Sequence, residues 1–492
     1  MNFPRLSRYK SPEDFRGRLS ELHLDLPLED RVLTADEGSP LAQPLEIFGR
    51  KVGNRWCIHP MEGWDGTPEG MPSSLTLRRW RNFGLSGAKL IFGGEATAVR
   101  PDGRANPCQL MALESTRPGL ALLLSTLKTA HRETCGSVED LLTGLQLTHS
   151  GRFCKPYDWE RPEPRILYHH PILDRRVGVD PADDSAILSD AEIGSIIEGF
   201  VQAARVAAAA GFDFVDIKHC HGYLGHELLS AHTRPGTYGG TFECRTRFLR
   251  TVVERIREEI PGLGIAVRVS AFDLVPYRDD ESTREGRQKG IGIPEPFEHC
   301  LPYRYGFGVD PDDPTRYDLT ETFQFMQLLE DLDIPLVNIT GGSPYYNPHI
   351  QRPAIFPPSD GYRPPEDPLV GVHRHIAVTR VLKQRFPNRI FVGTGYTYLQ
   401  EFLPLVAQAA VRQGWTDCVG IGRMVLSYPA MPWDTLTQGM MDTRRICRTF
   451  SDCTTAPRHA MVSGCYPLDE FYRERDEARR LKEIKKSLGE AG

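Results

Sequence analysis

Short apolar runs rich in β-branched residues, each bounded by Gly, Pro or polar residues, recur along the chain, and most are followed by a stretch with helical spacing of its apolar positions. The runs are WCIHPM from Trp56, AKLIFGGEA from Ala88, LTGLQLTH from Leu142, FVDIKHC from Phe214, GIAVRVS from Gly264, PLVNIT from Pro335, RIFVGTG from Arg389 and CVGIGR from Cys418, eight in all. Between them lie SDAEIGSIIEGFVQAARVAAAAG, ECRTRFLRTVVERIREE, LTETFQFMQLLEDL and YLQEFLPLVAQAAVRQG. In the first of these, Ser189 and Glu192 have capping-box spacing, and Ile193, Ile196, Ile197 and Phe200 share one face. Eight apolar strands alternating with helices predict an α/β fold, a closed parallel (β/α)8 TIM barrel whose chemistry sits at the strand C-termini.

Two stretches break the rhythm. Residues 272–318, after the fifth strand, are rich in Pro, Gly and charge and too long for an ordinary loop, so a lid over the active face is expected there. SPYYNPHIQRPAIFPPSDGYRPPEDP, after the sixth strand, reads the same way. The predicted organisation is an N-terminal arm over 1–45, a barrel over 46–435 and a C-terminal extension over 436–492, which carries three cysteines and a charged run that reads as a solvated helix face.

Composition narrows the function without naming it. A chain of 492 residues, 40% apolar, can bury a large core, and a net charge of −6 with Lys and Arg spread along the chain implies neither nucleic acid nor an anionic membrane as partner. The start has no apolar run fit for a signal peptide and no stretch reads as a membrane span, so a cytoplasmic protein acting on a small molecule is expected. Eleven scattered cysteines argue against a secreted disulfide framework. A homo-oligomer, or a separate protein that donates or accepts electrons, remains open.

Particular residues stand at the predicted strand ends. The first strand ends in HPMEGWDG, with Pro60, Met61 and Glu62; the second in EATAV, with Ala96; the third in QLTHSGR, from Gln146. The fourth gives Lys218-His219-Cys220-His221-Gly222-Tyr223-Leu224 and, further on, Tyr238-Gly239-Gly240; the fifth gives Arg268; the last two give VGTGYT, with Gly395, and GIGRMVLSYPAMP, with Gly422 and Arg423. Taken in order, these motifs resemble the old yellow enzyme family of NADH:flavin oxidoreductases over roughly 390 residues, a combination far more specific than any one motif. The resemblance implies non-covalent FMN as cofactor, with Pro60, Met61, Glu62, Ala96, Gln146, Arg268, Gly395, Gly422 and Arg423 around it. An amide such as Gln146 can meet the pyrimidine edge, Arg268 can stabilise an anionic reduced flavin, and glycine amides with Arg423 can hold a phosphate. The glycines of the VGTGYT run lack the spacing of a dinucleotide fold, so NAD(P)H is expected only as a transient reductant.

The sequence departs from that family at three places. The substrate-holding pair, commonly His with His or Asn, is Lys218 with His221, and strand alternation puts His219 on the opposite side from Lys218. An ammonium there favours an anionic ligand, and Tyr223 takes the position of the family's proton donor. Glu62 stands where the family has Cys or Thr, and a carboxylate there opposes charge on the flavin unless it is protonated or paired with Lys218. Cys447, Cys453 and Cys465 resemble three of the four ligands of the [4Fe-4S] cluster found in the trimethylamine dehydrogenase and dienoyl-CoA reductase branch, with Phe450 near the place of the missing one. A degenerate, empty site is therefore expected. The leading expectation is a reductase of activated C=C bonds with Lys218, His221 and Tyr223 as catalytic residues. The alternatives are a flavin dehydrogenase or demethylase of a small amine or acid, and a flavin-binding protein without turnover.

Overall fold

The computed structural model describes residues 3–488. All eight expected strands form: β1 (Trp56–Ile58), β2 (Leu90–Ile91), β3 (Leu142–Thr148), β4 (Phe214–Ile217), β5 (Gly264–Ser270), β6 (Leu336–Thr340), β7 (Ile390–Gly393) and β8 (Cys418–Ile421). Neighbours pair in parallel, and β8 pairs with β1, so the sheet closes on itself. Alternation along each strand splits the core in two. Phe214, Ala266 and Leu336 pack inside the barrel with Cys57, Leu90 and Val392, while Val215, Ile217, Val267, Val269, Val337 and Ile339 pack outward under the helices. A hairpin, Leu45–Ile47 with Arg50–Val52, adds Ile47 and Val52 to the inner cluster.

The run after Ala88 is not one strand. Gly93 and Gly94 take φ of 129° and 51°, and a Cβ on Gly93 would stand 2.9 Å from Gln146, so only glycine lets the chain step aside here. It rejoins β3 as the short strand Ala96–Ala98, with Ala96 opposite Gln146.

The barrel helices include α1 (Ser74–Gly84), α2 (Arg117–Cys135), α3 (Asp190–Ala210), α4 (Phe242–Glu259), α5 (Thr320–Asp331) and α6 (Pro368–Arg385). On α3 the Ser189–Glu192 capping box forms, and Ile193, Ile196, Ile197 and Phe200 are buried. With 21 residues, α3 is long and apolar enough to cross a membrane by length and composition; its buried face against the barrel accounts for that composition.

The insertion after β5 carries its own hairpin, Tyr277–Asp279 with Gly292–Pro294. It packs behind the segment after β6: the Tyr277 amide donates to the Tyr346 carbonyl at 2.8 Å, and the Tyr277 ring lies 4.6 Å from that of His349. The C-terminal extension returns to the barrel. The Ser463 amide donates to the Gly63 carbonyl at 2.8 Å, and Arg78 on α1 makes a two-point ion pair with Asp469 at 2.8 and 2.9 Å.

Candidate active site

At the C-terminal ends of the strands opens a cleft of about 1280 Å³, counting its open mouth. Pro60, Met61, Glu62, Ala96, Gln146, Lys218, His221, Tyr223, Arg268, Gly395, Gly422 and Arg423 all line it. They come from seven of the eight strand ends or their loops, brought together by closure of the barrel.

Strand alternation sets the floor. Asp216 and Lys218 face inward from β4, and Gln146 and Arg268 from its neighbours. Gln146 Nε2 donates to Asp216 Oδ2 at 2.5 Å, and the Arg268 amide donates to Asp216 Oδ1 at 2.7 Å. Burial pushes the Asp216 carboxyl from 3.8 up to about 7. Asp216 thereby fixes the Gln146 amide, a role that the sequence hides because FVDIKHC reads as a strand whatever its middle residue does. His219 turns outward: its ring lies 6.3 Å from Phe248 on α4 and 5.9 Å from Phe325 on α5. Arg152, the last residue of the QLTHSGR motif, also faces away, into a buried cluster with Asp174 and Glu227.

Above the floor, Lys218 Nζ stands 3.6 Å from Glu62 Oε1 and 3.8 Å from the centre of the Tyr223 ring. The Tyr223 hydroxyl donates to the same Glu62 oxygen at 2.9 Å and lies 2.7 Å from the Tyr345 hydroxyl. Burial, the Glu62 carboxylate and the neighbouring Tyr345 hold the Tyr223 phenol well above its usual range. His221 takes φ of 67°, with its amide on Ser270 Oγ at 3.1 Å. Burial and the charges of Arg268 and Lys218 keep its ring neutral. The Gln351 amide nitrogen faces Nε2 at 3.3 Å, so Nε2 accepts and the ring proton sits on Nδ1, the atom left to donate to a ligand.

Behind the loop after β1 lies a buried ion cluster. Arg79 bonds Asp65 at 2.7 Å and Glu95 at 2.6 Å and donates to the Met61 carbonyl at 3.0 Å, while the Gly63 amide donates to Glu95 at 3.2 Å. This cluster holds the turn that presents Glu62.

Part of the outer wall is the second expected lid, the segment after β6, though no sequence motif singles out its lining residues, and the share of the C-terminal extension was not expected. Tyr345, Gln351 and Arg352 from the segment after β6, and Cys453, Arg458 and Ser463 from the C-terminal extension, line the cleft. Among the described residues, none from the expected lid at 272–318 does; that insertion braces the segment after β6 from outside. Trp64, with φ of 56°, also lines the cleft and stacks on Trp159 at 5.6 Å.

Cys447, Cys453 and Cys465 surround one small chamber, which Phe450 and Arg423 also line. The space between them admits little more than one water molecule. Burial raises all three thiols, which Arg423 and Arg352 oppose at Cys447 and Cys453.

The sequence profile of the NADH:flavin oxidoreductase / NADH oxidase family matches residues 42–319. The chain belongs to this family. An NADPH dehydrogenase of Clostridium acetobutylicum is 31% identical over 224 residues, which cover 45% of this chain and 60% of the relative. The chain thus spans about three-fifths of the length of that relative. Among solved structures, a 2-naphthoyl-CoA reductase in its 2-naphthoyl-CoA complex superimposes with a TM-score of 0.60 at 15% identity, over 88% of this chain and 57% of the other. An old yellow enzyme homologue from Zymomonas mobilis superimposes with a TM-score of 0.52 at 20% identity, over 80% and 91%. At these identities the two structures speak for the barrel, and the family assignment rests on the profile.

Proposed function

We propose that this chain is an FMN-dependent oxidoreductase that passes hydride between flavin and a small activated alkene or carbonyl compound, with NAD(P)H as reductant. The observation that carries the reading is the convergence of Gln146, Arg268, Lys218, His221, Tyr223 and Arg423 on one cleft. The residues fit FMN. Arg268 Nε and Arg423 Nη1 are buried without a hydrogen-bond partner, as anion-binding groups awaiting a ligand would be, and Gly395 holds φ of 91° where the chain turns at the phosphate end. When bound, FMN supplies the hydride-carrying chemistry. Gln146, fixed by Asp216, orients the pyrimidine edge, and Arg268 offsets negative charge beside it. Lys218 Nζ and His221 Nδ1 hold the substrate's electron-withdrawing oxygen, and the Tyr223 hydroxyl holds the proton for the carbon opposite the hydride, with Glu62 and Tyr345 fixing its direction.

A second reading, oxidation of a small amine, draws on the Glu62 carboxylate beside the Trp64, Tyr223 and Tyr345 rings, a surround that suits a cation. Anaerobic stopped-flow mixing with NADH, NADPH, enones and amines separates the two. Reduction by a pyridine nucleotide and reoxidation by an enone is expected. Reduction by an amine moves the assignment to the second reading, and a protein that none of these reduces is a flavin carrier without turnover.

A further inference from the structure

At the Gly395 and Gly422 end of the cleft the charges do not balance. Arg423, from the end of β8, and Arg352, from the segment after β6, both line the cleft, and neither makes an ion pair among the described residues. Arg352 Nε and Nη2 and Arg423 Nη1 are shut off from solvent with no hydrogen-bond partner. Arg423 Nη2 makes only a long contact, 3.4 Å, to the carbonyl of Pro353, which ties the two segments together. Acidic residues of the same wall are already engaged: Asp360 pairs with Arg458, and Asp452 pairs with Lys485 at 3.0 Å. Burial, with the nearby charges of Arg423 and Arg458, pushes the Arg352 guanidinium down to about 9. Two cations held together without a counter-charge cost stability, and a fold retains them when a ligand supplies the missing anion.

We propose that Arg352 joins Arg423 as a second guanidinium on the phosphomonoester dianion of the flavin; this rests on the flavin reading above. A phosphomonoester carries close to two negative charges at neutral pH, matching two unpaired guanidiniums, and offers three oxygens to their donors. The residues expected around the phosphate from sequence were Gly395, Gly422 and Arg423; Arg352 adds a contact from a segment with no readable motif. It also couples the cofactor to the outer wall, since its other neighbours, Cys453 and Arg458, belong to the C-terminal extension.

The test is titration of the flavin-free full-length protein with FMN and with riboflavin, followed by flavin fluorescence, together with melting curves in the presence and absence of inorganic phosphate. Arg352→Met is expected to weaken FMN binding at least about tenfold, the worth of one charge-assisted bond, and to leave riboflavin binding unchanged. Arg352→Lys should lose less. The flavin-free Arg352→Met protein should melt at or above the unmodified protein, because an uncompensated cation has gone, and should no longer be stabilised by phosphate. Equal losses for FMN and riboflavin overturn the proposal, as does a lower melting temperature or a failure to fold of the flavin-free variant. Should the unmodified protein bind neither flavin, the flavin reading fails, and the phosphate arm still decides: no stabilisation of the unmodified protein by phosphate, or a stabilisation that survives Arg352→Met, overturns the anion site as well.

Discussion

Lys218 and Glu62 face each other in the cleft as opposite charges, and they offset each other. The carboxylate 3.6 Å from the ammonium already satisfies much of the attraction that an anionic ligand would gain. The preference of the cleft for a carboxylate over the matching amide should therefore be small in the unmodified protein. It should grow by about 1.5–3 kcal/mol in Glu62→Gln, where the ammonium is released to the ligand, and vanish when Lys218→Ala is added. Shifts of the flavin absorption band during titration with each ligand pair measure it; a preference unaltered by Glu62→Gln would mean that Lys218 does not meet the ligand. A second carboxyl, Asp273, accepts from the Tyr346 hydroxyl at 2.9 Å through both oxygens, and burial pushes it from 3.8 up to about 7. Because the folded value lies above the unfolded one, the folded state keeps a proton that the unfolded chain has lost, so this group's contribution weakens as pH rises from about 4 to 7. Asp273→Asn, which stays neutral, should gain melting temperature relative to the unmodified protein across that window. A constant difference from pH 4 to 8 would show that Asp273 titrates normally.

The turn after β1 is held by buried charge, which makes it the element most exposed to a single substitution. Arg79→Met would strand Asp65 and Glu95, each almost fully buried, and a loss of about 3–5 kcal/mol is expected, with faster amide exchange at Gly63. A loss under about 1 kcal/mol would show that the cluster relaxes into water. This element also marks what sequence could and could not supply. The strands and the Ser189 cap are local: period and cap chemistry are written in adjacent residues. Arg79 with Glu95, Asp216 with Gln146 and Tyr345 with Tyr223 are pairings across 16, 70 and 122 positions. No local pattern carries them. The segment after β6 has no periodicity at all, so it reads as a lid like the insertion after β5 without singling out Tyr345 or Arg352, and that longer insertion supports it from outside.

For the molecule as a whole, the C-terminal extension forms one side of the cleft. One of its three cysteines, Cys453, lines that side, and the chamber between the three has room for little beyond a water, with Phe450 on its rim. Iron and acid-labile sulfide after anaerobic purification should fall far short of the roughly four of each that a cubane cluster requires; stoichiometric iron and sulfide would make Cys447, Cys453 and Cys465 ligands. The extension is fastened by Ser463 on Gly63 and by Asp469 on Arg78, far from it in the chain. This arrangement has a bearing on synthesis. A ribosome adds about 5–20 residues per second from the N-terminus, so strand β8 emerges seconds before Cys453, Arg458 and Ser463. A nascent chain paused in that interval holds every barrel strand, with one flank of the cleft still open to any flavin in the surrounding solution.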